Sequence, residues 1–367
     1  MPNLLGVLAL QPKHVVLLAT PQEDAVRGRI ERELKRLRIA TSSKRIDPYD
    51  LEDVYRACRD VIASPPATPV ILNATGGTKI STLAAFSAVQ SSDGAEAFYV
   101  NTERGCIQWL RPRGRAEAPL DLRLTISQCL EVHGITVAAA GSKEASHPNR
   151  LLSIKIAGLA ARAEPLLAHF RRIYYLCDKE RRAPDRAVRE AADDFPGDLG
   201  PAQRELLDSL TEAGMVTVQD GQLSAVRSAE DLRYLGGGRW LEEYCEIRLR
   251  ELHVFDEVKA NLVLRWGEEA ENEVDVVTVR GGRLFLFACK TGGAVASSAK
   301  DLIAQDEVFK LETLRDLAGG TFARAILVAG SKMTSRLKER CGRLGIQFVD
   351  VGNLHQLDEF ARKVAGA

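Results

Sequence analysis

Short apolar runs alternate with helix-like stretches over the first hundred residues, and this alternation constrains the fold more than any other feature. Strand-like runs lie at 14–19, 70–72 and 97–100, with helix-like stretches at 22–38 and 79–90. Strands that alternate with helices predict a parallel sheet with helices on both faces. The N-terminal part is therefore predicted to be an α/β, Rossmann-like domain.

The composition limits size and class. The chain has 367 residues, 45% of them hydrophobic, which predicts two globular domains of ordinary size and excludes disordered and fibrous proteins. Its 50 Lys and Arg residues balance 50 Asp and Glu residues, so the net charge is zero. No global field attracts nucleic acid, and contacts with phosphates must come from local patches. Composition neither favours nor excludes a nuclease.

The cysteines and the apolar runs indicate a soluble protein. Seven cysteines are scattered without a CxxC spacing, and their number is odd, which fits a reducing compartment. Apolar runs such as 135–140 and 325–329 are far shorter than the roughly 20 residues that cross a bilayer. Residues 1–10 lack the basic start and long apolar stretch of a signal peptide. We expect a cytoplasmic protein without membrane contact.

A stretch of Gly, Ser, His, Pro and Asn residues at 141–149 predicts a domain boundary. We expect a first domain over 1–148, a connector over 149–237 and a helix-flanked mixed sheet over 238–367. The connector contains a predicted helix followed by a hairpin at Asp220-Gly221. Such a pair is compatible with a winged-helix fragment, but a connector packed on its neighbours is the favoured interpretation.

Paired glycines follow the buried strand near residue 70. The segment VILNATGGTK places Gly76 and Gly77 between that strand and a helix that begins at Lys79. Backbone N–H groups and a Lys at a helix N-terminus form an arrangement that binds anions. A Walker A loop needs Lys directly after its last Gly, whereas Thr78 intervenes here, and the pattern GxGxxG is missing. An NTPase or NAD enzyme is disfavoured, while glycines that merely turn the chain remain an alternative.

The segment NATGGTK, within a Rossmann-like half, resembles the signature of CARF domains, the cyclic-oligoadenylate sensors of type III CRISPR defence. The resemblance covers about residues 1–140. It implies a homodimer that binds a ring-shaped ligand, cyclic tetra-adenylate, across its interface, where an isologous cleft suits a ring of near two-fold symmetry. It also implies a set of ligand-binding residues in the glycine turn, which are Thr75, Gly76, Gly77, Thr78 and Lys79. Weaker candidates follow two other strands, and these are Thr20, Pro21 and Thr102.

Two predicted strands joined by Gly281 and Gly282 gather acids and a lysine. If these glycines are the two turn residues, Asp275 faces Ala288 and Glu273 faces Lys290, all on one side of the hairpin. Carboxylates on such a patch suit Mg²⁺ or Mn²⁺, which lowers the pKa of a water for phosphodiester cleavage. An exposed face with ordinary pairing of Glu273 with Lys290 is the alternative.

The hairpin resembles the core of PD-(D/E)xK nucleases, and the segment GRWLEEY resembles the helix that precedes that core and often contributes a Glu. Glu242 and Glu243 are the candidates there. The resemblance implies catalytic residues Glu243, Glu273, Asp275, Lys290 and the position of Ala288, and metal ligands Asp275, Glu273 and Cys289. On the next predicted helix, at 301–317, Lys310 is the residue we would test, although a solvated helical face is favoured there.

Ala288 departs from the family pattern, in which the residue two before the Lys is Glu or Asp. An apolar side chain cannot bind a metal. Three explanations stay open: Glu273 replaces the missing acid, the natural protein is weakened, or Glu was changed to Ala by engineering. We favour the last because the surrounding residues retain the active pattern.

Together, the two halves resemble a CARF nuclease with a C-terminal restriction-endonuclease-like domain. This implies cutting of single-stranded or nicked DNA, with RNA as a further candidate substrate, controlled by cyclic tetra-adenylate. One rival is a ligand-controlled transcription regulator with a winged-helix reader, but the helix at 202–213 carries one Arg against three acids. A second rival is a sensor that degrades its own ring ligand, but no general base is visible beside Lys79.

Overall fold

The structure is a computed structural model, and it describes residues 2–64, 69–102, 104–120, 122–138, 150–267, 270–291, 301–320 and 323–366. The chain divides into two compact units. The first contains Met1–Thr136 and Val279–Arg283, and the second contains Val137–Thr278 and Leu284–Ala367. The boundary expected at 141–149 lies outside the described residues. In the part of the chain that the structure describes, no helix is both long and apolar enough to cross a bilayer.

The first unit confirms the predicted alternation of strands and helices. Its elements are α1 (Pro2–Leu10), β1 (His14–Ala19), α2 (Asp24–Arg36), β2 (Ala40–Arg45), α3 (Leu51–Ala63), β3 (Ile71–Asn73), α4 (Lys79–Gln90), β4 (Glu96–Asn101), β5 (Cys106–Arg111), β6 (Ala118–Pro119) and α5 (Ile126–Val132). Strands β1 and β2 form a parallel pair. Strands β3 and β4 are also parallel, and β5 and β6 extend their sheet in antiparallel fashion.

The run at 122–126 has the short apolar pattern of a strand, but it does not form one. Residues 122–126 lead into α5, which begins at Ile126. The Thr125 side chain accepts a hydrogen bond from the backbone N–H of Gln128, whose side chain in turn accepts one from the Thr125 N–H at 2.9 Å. This reciprocal capping box satisfies two backbone donors and fixes the start of the helix.

The second unit is built around a mixed sheet. Its elements are β7 (Thr136–Val137, which begins in the first unit), α6 (Arg150–Leu159), α7 (Glu164–Asp178), α8 (Pro184–Glu190), α9 (Pro201–Glu212), β8 (Val216–Gln219), β9 (Gln222–Val226), α10 (Ala229–Leu235), α11 (Arg239–Glu251), β10 (Glu257–Trp266), β11 (Ala270–Arg280), β12 (Arg283–Lys290), α12 (Asp301–Ala318), β13 (Ala323–Ala329), α13 (Ser335–Arg343), β14 (Gln347–Val349) and α14 (Leu357–Ala365). The sheet has six strands in the order β14-β13-β12-β11-β10-β7. Strands β12, β13 and β14 run parallel.

The connector shares one apolar core with the residues of the predicted nuclease domain. Phe170 from α7 and Leu206 from α9 belong to the same buried cluster as Trp240, Phe285 and Phe287. Each such side chain stabilises the fold by about 1.5–3 kcal/mol when fully buried. The connector is therefore packed on its neighbours within the second unit, in line with the favoured interpretation.

The turn between β11 and β12 belongs to the first unit. Gly281 and Gly282 have φ of 56° and 76°, as both central residues of a type I′ hairpin turn require. A Cβ on Gly282 would lie 2.6 Å from Leu5 Cδ2, so a larger residue would have to displace the buried Leu5 side chain. Arg283 donates a hydrogen bond to the Thr102 carbonyl at 2.6 Å. The hairpin tip is therefore anchored among first-unit residues.

Candidate active site and glycine turn

Asp275 on β11 and Lys290 on β12 form the centre of the candidate active site. Lys290 Nζ lies 3.5 Å from Asp275 Oδ2 and 3.6 Å from Glu307 Oε2. The backbone N–H of Cys289 donates to the same Asp275 oxygen at 2.6 Å. Asp275 is only 13% exposed, and Lys290 is 29% exposed. The hairpin therefore holds an acid and a lysine in a largely desolvated contact.

Lys290 pairs with Asp275 and Glu307, and not with Glu273, the residue expected to face it across the hairpin. Glu273 is exposed and, within the described ranges, makes no hydrogen bond or ion pair, so the alternative pairing with Lys290 is not formed. Glu307 on α12 is the second acid at Lys290, whereas the sequence analysis had selected Lys310 among the polar residues of this helix. Lys310 lies one turn further along α12 and pairs with Glu307 at 3.1 Å. Only the helix packing brings Glu307 to the hairpin.

Burial and charge oppose each other at the centre. Burial raises the pKa of Asp275 more than the charge of Lys290 and the Cys289 amide lower it. Burial lowers the pKa of Lys290, but the negative charges of Asp275 and Glu307 outweigh it, so this pKa lies above its ordinary value. Lys290 therefore remains positively charged. The surroundings of Asp275 stabilise its ionised form less well than water does.

Of the two candidate acids on α11, the structure brings Glu242 to this centre. Burial raises the pKa of Glu242 to about 8, the charge of Asp275 adds to the rise, and Lys290 opposes it. Glu243 points elsewhere, as expected for adjacent helix residues about 100° apart. Burial raises the pKa of Glu243 too, while the nearby Ser153 hydroxyl and the charge of Arg150 lower it.

Cys289 does not fit the predicted role of a sulfur ligand. Its side chain belongs to the apolar core with Phe287, on the opposite face of β12 from its neighbours Ala288 and Lys290. Contact with Cys245 and burial raise the pKa of the Cys289 thiol well above its ordinary value. A neutral thiol in the core cannot act as a thiolate ligand. The part of Cys289 that reaches the centre is its backbone amide.

The donor set fits a divalent cation, with one ligand fewer than the family pattern. No hydrogen bond in the described part of the chain occupies Asp275 Oδ1 or the Glu242 carboxyl group. Mg²⁺ is commonly bound by one or two carboxylates together with waters, and Mn²⁺ also prefers oxygen ligands. Among the described residues, no three Asp, Glu, His or Cys side chains meet at metal-ligand spacing. Ala288, on the Asp275 face, is where a third would come from.

The raised pKa of Glu242 predicts how the stability of the metal-free protein depends on pH. Its pKa rises from 4.5 in the unfolded chain to about 8 in the fold, so between these values the folded state binds more protons. Stability must then fall as pH rises through this interval. We expect the melting temperature in EDTA to fall across it, and Glu242→Gln to remove most of this slope. Calorimetry measures it, with the exposed Glu251→Gln as control. An unchanged slope in Glu242→Gln would contradict the assignment.

The glycine turn after β3 is held by its own threonines. The Thr75 hydroxyl donates to Asn73 Oδ1 at 2.6 Å and accepts the Val100 N–H at 2.8 Å, which ties the turn to β4. The Thr78 hydroxyl accepts from the Ser81 N–H at 3.1 Å, and so caps α4, and donates to the Pro48 carbonyl at 2.7 Å. Both hydroxyls therefore shape the turn.

The turn leaves backbone and charge open to solvent. Gly77 has a φ of 94°, a conformation that favours glycine, and a Cβ on Gly76 would meet the Asn3 side chain at 2.8 Å. Lys79 is the first residue of α4, is exposed, and forms no ion pair within the described ranges. An exposed Lys beside helix N–H groups is the arrangement that anions bind.

The weaker candidates lie in the turns after other strands. Thr20 and the exposed Pro21 follow β1, where Thr20 precedes a short 3₁₀ turn. Thr102 follows β4, which is parallel to β3, so Thr102 lies at the same sheet edge as the glycine turn. The Thr102 carbonyl accepts the hydrogen bond from Arg283.

The fold defines a class, in which a Rossmann-like domain of the CARF type is joined to a restriction-endonuclease-like domain. Residues 228–365 match the family model of the Card1-like endonuclease domain. Residues 6–105 match the model described as HFX_2341_N-like, N-terminal. The chain thus contains a Card1-like endonuclease domain within a CARF-plus-nuclease fold, which confirms the family resemblance of its sequence.

Solved structures share this fold. Can2 from Sulfobacillus thermosulfidooxidans, in complex with cyclic tetra-adenylate, matches with a TM-score of 0.80 and 21% identity over 100% of this chain and 96% of its own. Protein VC1899 from Vibrio cholerae matches with a TM-score of 0.74 and 23% identity, over 96% of this chain and 91% of its own. A type III CRISPR defence DNA nuclease activated by cyclic oligoadenylate matches with a TM-score of 0.52 and 20% identity, over 89% of this chain and 43% of its own. No curated protein matches the chain.

Proposed function

We propose that this chain is a metal-dependent endonuclease of antiviral CRISPR defence that cyclic tetra-adenylate activates. The observation that carries the proposal is the buried contact of Asp275 with Lys290, with Glu242 in electrostatic range, inside a Card1-like endonuclease domain. Acids whose pKa values are shifted by burial and by a specific charged neighbour cluster at functional sites. Phosphodiester hydrolysis is the chemistry that such a set performs.

Asp275 and Glu242 would hold Mg²⁺ or Mn²⁺, with the exposed Glu273 as the further candidate. When bound, the metal supplies a water of lowered pKa and compensates charge on the scissile phosphate. Lys290, held between Asp275 and Glu307, remains charged and orients the attacking water toward the phosphate. The substrate is DNA, single-stranded or nicked, and RNA is a second candidate. The match to a DNA nuclease of type III CRISPR defence supports this substrate class.

The activator binds at the glycine turn of a homodimer. The open backbone of Gly77 and the charge of Lys79 suit phosphates, and the match to Can2 in complex with cyclic tetra-adenylate supports this ring size. Apolar side chains stand exposed beside the turn on α4, with Ile80 at 40% and Leu83 at 65%. Exposed apolar groups beside a ligand site suit contact with a second chain.

Lys79→Ala is expected to weaken cyclic tetra-adenylate binding about tenfold or more, because a hydrogen bond to a charged group contributes about 1.5–3 kcal/mol. Titration calorimetry checks both affinity and stoichiometry, which should be one ring per two chains. Lys13→Ala is the matched control, since Lys13 is exposed but precedes β1, away from the glycine turn in sequence. Unchanged affinity in Lys79→Ala, or a different stoichiometry, would contradict the ligand site.

The experiment for the whole proposal is a cleavage assay on plasmid DNA, single-stranded DNA and RNA with Mn²⁺, with and without cyclic tetra-adenylate. It uses the chain itself and its Ala288→Glu variant, because the missing carboxylate at Ala288 is expected to leave the chain slow or inactive. Cleavage that needs both metal and ring supports the proposal. No cleavage by either protein in any combination would reject it.

A further inference from the structure

A groove between α12 and α13 carries a charge pattern that the Asp275–Lys290 site does not use. It has a volume of about 450 Å³ and is lined by Phe309 of α12 and by Arg336, Arg340 and Arg343 of α13. Pockets that hold small organic groups measure roughly 300–1,000 Å³. The groove is therefore large enough for a nucleotide-sized group.

The three arginines lie on one face of α13. Their spacing of four and then three residues places side chains one above the other along a helix. Arg336 and Arg343 are exposed, and Glu339, the acid of the groove, pairs with Arg343 at 2.5 Å. Among the residues that line the groove, three arginines outnumber the one glutamate. In a chain with no net charge, this is a local patch able to attract phosphates.

An aromatic platform stands beside the arginines. Phe309 is 43% exposed, and the guanidinium of Arg340 lies 4.2 Å from its ring centroid. Unpaired bases stack on aromatic rings and on arginine planes, and this stacking tolerates any base. The groove thus offers both phosphate partners and a stacking surface.

We propose that this groove binds a single-stranded segment of the nucleic-acid substrate, with Arg336 and Arg343 on phosphates and a base stacked on the Phe309–Arg340 platform. The inference rests on the proposed nuclease function and specifies the form of its substrate. The two outer arginines are about 10 Å apart along the helix axis, which is the rise of about three stacked nucleotides. Helix α12 also carries Glu307, 3.6 Å from Lys290, so the groove and the active site share one helix.

The test is fluorescence anisotropy of a short labelled DNA or RNA single strand, in EDTA so that binding is measured without cleavage. Arg336→Ala with Arg343→Ala should weaken binding about tenfold and reduce the slope of log affinity against log salt by about 1.4, which is 0.7 for each of two phosphates. The control removes two charges from the exposed end of α14, Arg362→Ala with Lys363→Ala, and should change neither quantity. Thermal unfolding confirms that each variant is folded.

The stacking platform is tested separately. Phe309→Leu should weaken single-strand binding about tenfold without changing the salt slope, and Arg340→Lys, which keeps the charge, should also weaken it at unchanged slope. Duplex DNA, whose base faces are covered, should not respond to Phe309→Leu. Equal effects on duplex and single strands, no binding by the unaltered chain, or arginine variants that behave like the control would each overturn the inference. Absent cleavage in the assay above would instead reject the proposed function, whatever these binding results.

Discussion

Replacing Ala288 with glutamate is expected to raise ring-stimulated cleavage by about 10²-fold or more. The new carboxylate would stand on the face of Asp275, where the donor set is one ligand short. Loss of partners that only support metal ligands already costs about 10–100-fold in affinity or activity, so a direct ligand should contribute at least as much. The measurement is the initial rate of plasmid and single-strand cleavage at saturating cyclic tetra-adenylate and Mn²⁺.

Ala288→Gln is the matched control, because glutamine has the size of glutamate without its charge. It should leave cleavage at the level of the unaltered chain. The affinity for cyclic tetra-adenylate should be equal in all three proteins, since the glycine turn belongs to the other unit. If the unaltered chain cuts as fast as Ala288→Glu, then Glu273 already supplies the missing ligand, and Ala288 does not explain any loss of activity.

Asp275→Asn is expected to abolish metal-dependent cleavage, most clearly when it is introduced into the Ala288→Glu variant. Asp275 is the acid that contacts both Lys290 and the Cys289 amide, and an amide oxygen is a much weaker partner for Mg²⁺ or Mn²⁺. Because burial raises the pKa of this acid, a neutral side chain of the same shape should cost little stability. Cleavage rate and melting temperature, measured together, separate the two roles.

Glu271→Gln serves as control for Asp275→Asn, because Glu271 is an exposed acid on the same strand that pairs with Arg265. It should retain full activity. Cleavage that survives in Asp275→Asn, or in excess EDTA, would show that the hairpin has only a structural role.

Local patterns in the sequence were sufficient to predict the hairpin. Paired glycines specify a two-residue turn, and the period of two assigns Asp275 and Lys290 to one face. The structure confirms the turn at Gly281 and Gly282 and brings these two residues into contact. The helix Lys79–Gln90 was predicted with its exact bounds for the same reason, since strand, glycine turn and helix follow each other directly.

Contacts between distant elements could not be read from the sequence. Glu242 and Glu243 are adjacent, and only the packing of α11 decides which one approaches Asp275. A usable signal was the apolar pattern, because Glu242 lies one turn before the buried Cys245, whose neighbour is Cys289. Glu307 could not be singled out among the polar residues of its helix, since a charged residue on a helix is ordinarily solvated. Strand β2 was missed because its six residues, ATSSKR, are polar and mostly exposed.

The hairpin tip makes the first compact unit discontinuous in the chain. A fragment that ends at residue 148 would lack Val279–Arg283, which belong to its own compact unit. Leu5 and Leu124 would lose the backbone of Gly282 that packs beside them, and the Thr102 carbonyl would lose its donor. The first compact unit is therefore not a continuous N-terminal segment, and a chimera that replaces this unit must also replace residues 279–283.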